Sequence, residues 1–546
     1  MQAKSDRKSG RRVLSRRDFI RGAGLAGLGA SLAAVGCQPK TVVVEKVVTQ
    51  VVTEKVKETV IVAGTPEVVE KEVTKVVEKE VTRVVEKEVT PVAPEIQVIR
   101  YWLPPTTEQV YREKKVNEFM DLNPDIEVQM EGADPANYNE ATQLLFKSGD
   151  PPDVFWKFNL SMPDMLNEDM LQPYPEEAQN YIRGAYPSAM FLEGINMWEG
   201  KLYGFWPVGP KSATRVLYCS DALMEKAGAQ PPTTWSELRE VAKQLTDAGA
   251  GQSYGIIVGG KSPWDYTALL GALAMSAGPM ASADGEGNCM DWTEARMTIG
   301  DDYFVAALEL LDGLIQDGSL FPGYTTISHT EARAGLASGW AGMYMGGWWD
   351  NGAFVTQFPD FQFSIVPPPV FDGGKMGFNH GSPFVDRVYV SKEATARDAI
   401  AKFLIFKFGP AYQEGWARQG WFTTLPEANT PDNLADPKVQ SIFAISDDIR
   451  SVPQPIARNV NQAQVNTERK DQHPNFGELL EGVFSGQIAV ADYKLQAEGY
   501  ADMWRAELER AIDEIKGRGI EVSIDDWIYP NWEPDKDYTA DMYGAL

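Results

Sequence analysis

Residues 41–95 are built almost entirely from Val, Glu, Lys and Thr, and residues 68–91 repeat with period eight as VVEKEVTK, VVEKEVTR and VVEKEVTP. A segment without aromatic residues and almost without glycine cannot assemble a core. Any globular fold is therefore confined to the sequence that follows. Period eight matches neither a heptad nor an eleven-residue repeat, and Pro66, Pro91 and Pro94 interrupt a long helix. The composition reads as an extended, charge-solvated spacer rather than a coiled coil. Fully extended at ~3.3 Å per residue, such a tether reaches on the order of 180 Å.

The sequence before the repeat reads as an address. Ser15-Arg16-Arg17-Asp18-Phe19-Ile20-Arg21 resembles a twin-arginine export motif, with a basic region before it and a weakly apolar run, 22–36, after it. That run is too short and too rich in Gly and Ala for a membrane span, which needs about 20 apolar residues. It ends in Ala34-Val35-Gly36-Cys37, which resembles a lipobox with Ala in place of the usual Leu. The expected organisation is a signal peptide over 1–36 and a tether over 37–95, anchored to the outer face of the cell membrane by acylation of Cys37. A diacylglyceryl group with an amine-linked chain supplies the two or more chains that stable attachment requires.

Charge separates the leader from the body. Residues 1–40 hold nine Lys/Arg against two Asp/Glu, whereas 96–546 hold 34 against 64, a formal charge near −30. A field of that sign repels nucleic acid and anionic lipid. The three cysteines, Cys37, Cys219 and Cys289, form no CxxC pair, and no HExxH spacing occurs, so neither a metal site nor a cofactor is expected. Cys219 and Cys289 fit a disulfide or two buried thiols equally well.

At this length the body needs more than one core. It opens with a strand over 96–102 rich in β-branched and aromatic residues, an amphipathic helix near 107–121 and an alternating strand over 126–130. This βαβ unit predicts an α/β lobe with a largely parallel sheet. Thr233-Thr234-Trp235-Ser236-Glu237 carries an N-cap signature for a helix over 235–245, and 254–258 reads as a strand.

Several motifs occur in a specific order: Ser148-Gly149-Asp150-Pro151-Pro152-Asp153-Val154, Gly200-Lys201-Leu202-Tyr203-Gly204-Phe205-Trp206-Pro207, Leu217-Tyr218-Cys219-Ser220-Asp221-Ala222-Leu223, Pro232-Thr233-Thr234-Trp235, Gly346-Gly347-Trp348-Trp349 and Ala399-Ile400-Ala401-Lys402-Phe403-Leu404. Over 96 to roughly 515 the chain resembles the family 1 extracellular solute-binding proteins, the maltose-binding-protein-like group. The resemblance implies a type II periplasmic-binding-protein-like fold, two α/β lobes with a ligand cleft between them. It places hinge crossings near 208, 377 and 425, an N-terminal lobe over 96–208 and 378–425, and a C-terminal lobe over 209–377 and 426–546. It implies capture of a mono- or oligosaccharide by lobe closure, delivery to the permease of an ABC importer, no catalysis, and a monomer.

Sugar recognition needs flat apolar faces beside placed polar groups. Trp102 ends the first strand, where α/β sheets present ligands. Trp156 and Asn159 follow the next conserved-order strand at positions the resemblance assigns to the cleft. Trp206 and Lys211 flank the first hinge crossing, and Trp264, Asp265 and Tyr266 follow the strand at 254–258 in a loop that the resemblance points at the ligand. Trp348 and Trp349 follow a glycine pair that permits close backbone approach, and Asp350 and Asn351 are placed to take hydroxyls. Gly381 and Ser382 return through the second crossing, and Phe476 lies near the cleft. For each of these, simple packing or solvation is the competing reading.

Three other readings compete with sugar capture. Gly255-Ile256-Ile257-Val258-Gly259-Gly260-Lys261-Ser262 satisfies a phosphate-loop pattern, but its apolar centre reads as strand and Pro263-Trp264 follow where phosphate would need backbone donors. An exported glycoside-active enzyme would need a carboxylate pair. Nothing singles one out, there is no G-x-S-x-G elbow, and His329, His380 and His473 fit no triad spacing. A polyol or a glycerol phosphate ester is the alternative ligand class, and an adhesion protein would explain the tether but not the motif order.

Overall fold

The computed structural model describes residues 48–62, 65–79, 96–105, 108–134, 137–158, 160–208, 215–278, 289–374 and 385–546. The chain separates into two units, Met1–Pro94 and Glu95–Leu546.

In the first unit the described part of the repeat, 68–79, lies in a paired strand rather than an extended spacer. Val48–Val62 and Thr65–Lys79 pair antiparallel along their whole length, from Val48↔Lys79 to Val62↔Thr65. Eight is an even number, so the same residue types recur on the same face of a strand, and β-branched Val and Thr favour that pleated backbone. The consequence for reach is large. Because Val48 pairs with Lys79, the chain leaves the ribbon about 5 Å from where it entered, and these residues add a ribbon ~50 Å long but almost no span.

In the second unit the expected βαβ opening is found as Gln97–Trp102, Gln109–Leu122 and Ile126–Glu131, the strands parallel from Gln97↔Ile126 onward. The first sheet runs in the order Ile126–Glu131, Gln97–Trp102, Val154–Trp156, Val388–Ser391, Leu171–Gln172, with Gly204–Phe205 also paired to Val388–Ser391. Only its first three strands are parallel. Val388–Ser391 runs antiparallel to Val154–Trp156, so the sheet is mixed rather than largely parallel. This strand arrives from 232 residues downstream of Trp156, which no local pattern announces.

The second sheet runs Tyr254–Ile257, Ala341–Gly346, Val216–Ser220, Phe363–Val366. Side chains alternate between faces, and both faces are covered: Val216, Tyr218, Tyr344 and Ile365 belong to the core that also fills the first sheet, whereas Leu217, Cys219, Met343 and Met345 belong to a second core. The helices Pro263–Ala274, Asp302–Gln316, Phe476–Phe484 and Val490–Gly517 pack into that second core. Double coverage explains the uninterrupted apolar runs of these strands.

The helix Trp235–Gly249 starts where its signature predicts. Thr234 accepts from the Glu237 backbone N–H, and the Glu237 carboxylate accepts in return from the Thr234 backbone N–H. Near the expected crossings at 208 and 425 two passing segments meet, the Thr424 backbone N–H and hydroxyl both donating to the Pro207 carbonyl at 2.7 and 2.6 Å. The crossing near 377 lies outside the described residues. Cys219 and Cys289 are both buried and are not joined by a disulfide.

Candidate functional site

Tyr254–Ile257 and Ala341–Gly346 are parallel neighbours, and Val216 pairs with Gly346. The carboxyl ends of two strands and the residue preceding a third therefore open at one edge of the second sheet, the position at which α/β sheets hold ligands. A small open pocket lies there, lined by Arg215, Asp265, His329, Tyr344, Trp349 and Asp350.

Close backbone approach builds the walls. A Cβ on Gly347 would sit 2.2 Å from the Trp349 ring, and one on Gly259 would sit 2.3 Å from the His329 backbone nitrogen. Neither position tolerates a side chain without displacing a residue that lines the cavity.

Asp350 is fully buried. Its carboxylate accepts from Arg333 Nη1 at 2.7 Å, from the Tyr344 hydroxyl at 3.1 Å and from the Gly347 backbone N–H at 3.0 Å. These donors let it fix the Gly346-Gly347-Trp348-Trp349 turn from within the pocket lining. Asp265, in the first turn of Pro263–Ala274, is different. Its Oδ1 lies 3.6 Å from His329 Nδ1, while its buried Oδ2 has no hydrogen-bond partner. Burial pushes its carboxyl up to about 6, opposed by His329 and Arg215 and reinforced by Asp350. The half-buried Trp349 supplies the flat face, with the Arg215 guanidinium 5.7 Å from its ring centroid.

Of the residues expected from sequence, the structure brings together Asp265, Trp349 and Asp350. Trp348 packs inward against Phe422, ring centroids 6.5 Å apart. Tyr266 stacks on Phe484 at 4.2 Å, and Asn351 is buried and donates to the Gln419 carbonyl at 3.1 Å. Phe476 is fully enclosed in the second core against Phe304. Trp102 stacks on Tyr138, and its indole N–H donates to Thr142 Oγ1 at 2.8 Å. Trp156 and Trp206 are buried edge to face at 5.0 Å, and Trp206 continues onto Trp416 at 5.3 Å. Trp264 lies in the first helical turn, its side chain outside the described residues. Asn159, Lys211, Gly381, Ser382 and Cys37 also lie outside them.

Sequence reasoning missed Arg215 and His329. His329 had one readable signal: Ser328 and Glu331 form a capping box that sets it at the start of the helix His329–Ala337. The phosphate-loop pattern does stand between a strand and a helix, yet the Gly260 and Lys261 backbone N–H groups both donate to the Ile327 carbonyl at 3.0 Å. Donors committed in this way cannot cradle a phosphate. Among the described residues no His/Cys/Asp/Glu group has metal-binding geometry, and no helix is long and apolar enough to cross a membrane.

Comparison with known proteins agrees with this architecture. The GacH receptor of Streptomyces glaucescens, solved unliganded and with acarbose, superposes with a TM-score of 0.59 at 16% identity, covering 76% of this chain and 98% of that one. Maltose-bound MalE3 of T. maritima gives 0.58 at 18% identity, covering 75% and 99%. A solute-binding protein of Thermotoga lettingae bound to α-D-tagatose gives 0.58 at 17% identity, covering 76% and 100%. The fold is thus that of the two-lobed type II binding proteins. No curated protein matches the chain by sequence. The profile of the bacterial extracellular solute-binding protein family matches residues 104–414, more than half the chain, and the protein therefore belongs to that family.

Proposed function

We propose that the protein binds an uncharged, hydroxyl-rich ligand, a mono- or oligosaccharide, at the edge of the second sheet and presents it to an ABC importer. The observation that carries this reading is the pairing of a buried carboxylate oxygen without a protein partner, Asp265 Oδ2, with the ring of Trp349 in the same cavity. A carboxylate accepts from sugar hydroxyls while an indole face covers C–H groups. The local charge supports a neutral ligand, since Asp265 and Asp350 are offset by Arg215 and Arg333. Structural relatives solved with acarbose, maltose and tagatose support the same class. Ligand touching both lobes would stabilise a closed state for the permease to recognise. The arginine pair of the leader and Cys37 support twin-arginine export and lipid anchoring.

Thermal unfolding against sugars, polyols and phosphate esters tests the reading, because ligand at a hundredfold excess over its Kd adds about 2.7 kcal/mol. A carbohydrate is expected to raise the midpoint; a response to phosphate esters alone would replace the sugar, and cleavage of carbohydrate polymers would replace binding by catalysis. Trp349→Ala should weaken calorimetric affinity for that carbohydrate about ten- to a hundredfold with the unfolding midpoint of the free protein kept. Unchanged affinity would remove Trp349 from the site.

Binding should also fall in acid. Ligand hydroxyls favour the ionised Asp265, whose pKa stands near 6, so affinity is full above that value and drops about tenfold per pH unit below it. Asp265→Asn should flatten the profile measured by calorimetry between pH 5 and 8.

A further inference from the structure

Ligand binding makes no use of the ribbon formed by Val48–Val62 and Thr65–Lys79. Among the described residues no third strand joins it, so within them each strand presents an edge of N–H and C=O groups that is a template for another strand. A two-stranded ribbon is also marginal in water, and three or more strands are needed for independent stability.

Charge decides which strand fits. Lys55 lies across from Glu72 at 3.7 Å and Lys57 across from Glu70 at 3.5 Å, with all four side chains more than half exposed. Side chains on one face of a sheet meet neighbours on both sides, so Glu70 and Glu72 present to their open side the same carboxylates that already match Lys57 and Lys55. The strand that completes them there is another Val48–Val62. Residues 48–79 hold five Lys against six Glu, so ribbons from two copies do not repel one another as the strongly acidic bodies do.

We propose that the ribbon is a self-association element: the open edge of Thr65–Lys79 in one copy pairs with the open edge of Val48–Val62 in a second copy, in the antiparallel register found within one chain. This departs from the monomer expected from sequence and is independent of what the body binds.

Sedimentation velocity on the full chain carrying Cys37→Ser, which removes acylation as a cause of association, tests it from low to high micromolar concentration. Dimers and larger species are expected to grow with concentration, and deletion of 48–79 is expected to leave a monomer. Lys55→Glu with Lys57→Glu should weaken association about tenfold, and adding Glu70→Lys with Glu72→Lys in the same chain should restore it. A chain monomeric at every concentration, association that survives the deletion, or charge variants without effect would each overturn the proposal.

Discussion

Asp350→Ala is expected to lower folding stability by about 3–5 kcal/mol, the cost of leaving a buried charge without its partner. Arg333 is 3% exposed and Asp350 fully enclosed, so water cannot take over from the lost carboxylate. The substitution strands the Gly347 backbone N–H as well as the guanidinium, and leaves the Tyr344 hydroxyl only its longer bond to the His329 carbonyl at 3.4 Å. Ligand affinity should collapse with stability, because these bonds hold the turn that carries Trp349. Urea unfolding read by tryptophan fluorescence measures the first effect. Asp350→Asn, which keeps the shape and an acceptor oxygen, should lose less than Asp350→Ala. A loss below about 1 kcal/mol in the alanine variant would mean that the pair is hydrated and does not organise the turn.

The second large effect has the opposite sign. Lys407, near the end of the helix Arg397–Phe408, is 2% exposed and its amine lies among the rings of Tyr412, Trp206, Tyr101 and Phe408 at 4.7, 5.5, 5.6 and 5.9 Å. Burial pushes its pKa down to about 7, with Glu108 pulling it up and Arg112 pushing it further down. A buried cation of this kind is often replaced by an apolar side chain of similar volume with a gain of about 1–4 kcal/mol. Lys407→Met should therefore stabilise the protein.

The pH dependence identifies the cause. Below about pH 7 both folded and unfolded chains carry the proton and the cost of burying charge is complete. Above it the folded amine is neutral while the unfolded one still binds a proton, so the stability of the natural chain rises with pH until the ordinary lysine value is passed. The advantage of Lys407→Met should accordingly be largest in mild acid and shrink through pH 9. A pH-independent gain in urea midpoint would assign the effect to packing, and a loss would show that the four ring faces stabilise the ammonium more than burial penalises it.

Much of the body was legible. The opening βαβ unit, the capped helix at Trp235 and the strand at Tyr254 follow from periodicity and capping chemistry, which act within a few residues. Over 68–79 the repeat forms a paired strand rather than the expected spacer, because its even period and β-branched composition suit one. At the site, the glycine pair before Trp348 and Trp349 signals a close approach, but which indole faces the cavity depends on the tertiary packing of Trp348 near Phe422. Trp102 stacks on Tyr138 and donates to Thr142, and Phe476 packs against Phe304, contacts that no local pattern records.

By itself the sequence determined that a repeat without aromatic residues precedes an acidic α/β body, because composition and local periodicity already fix what each stretch can bury. Only the tertiary structure decided that Arg215, Asp265, His329 and Trp349 share one cavity. They come from four elements, and strand order and register set their convergence. The raised pKa of Asp265 likewise arises from burial by residues distant in the chain, and desolvation is a property of the folded surroundings that no sequence spacing records.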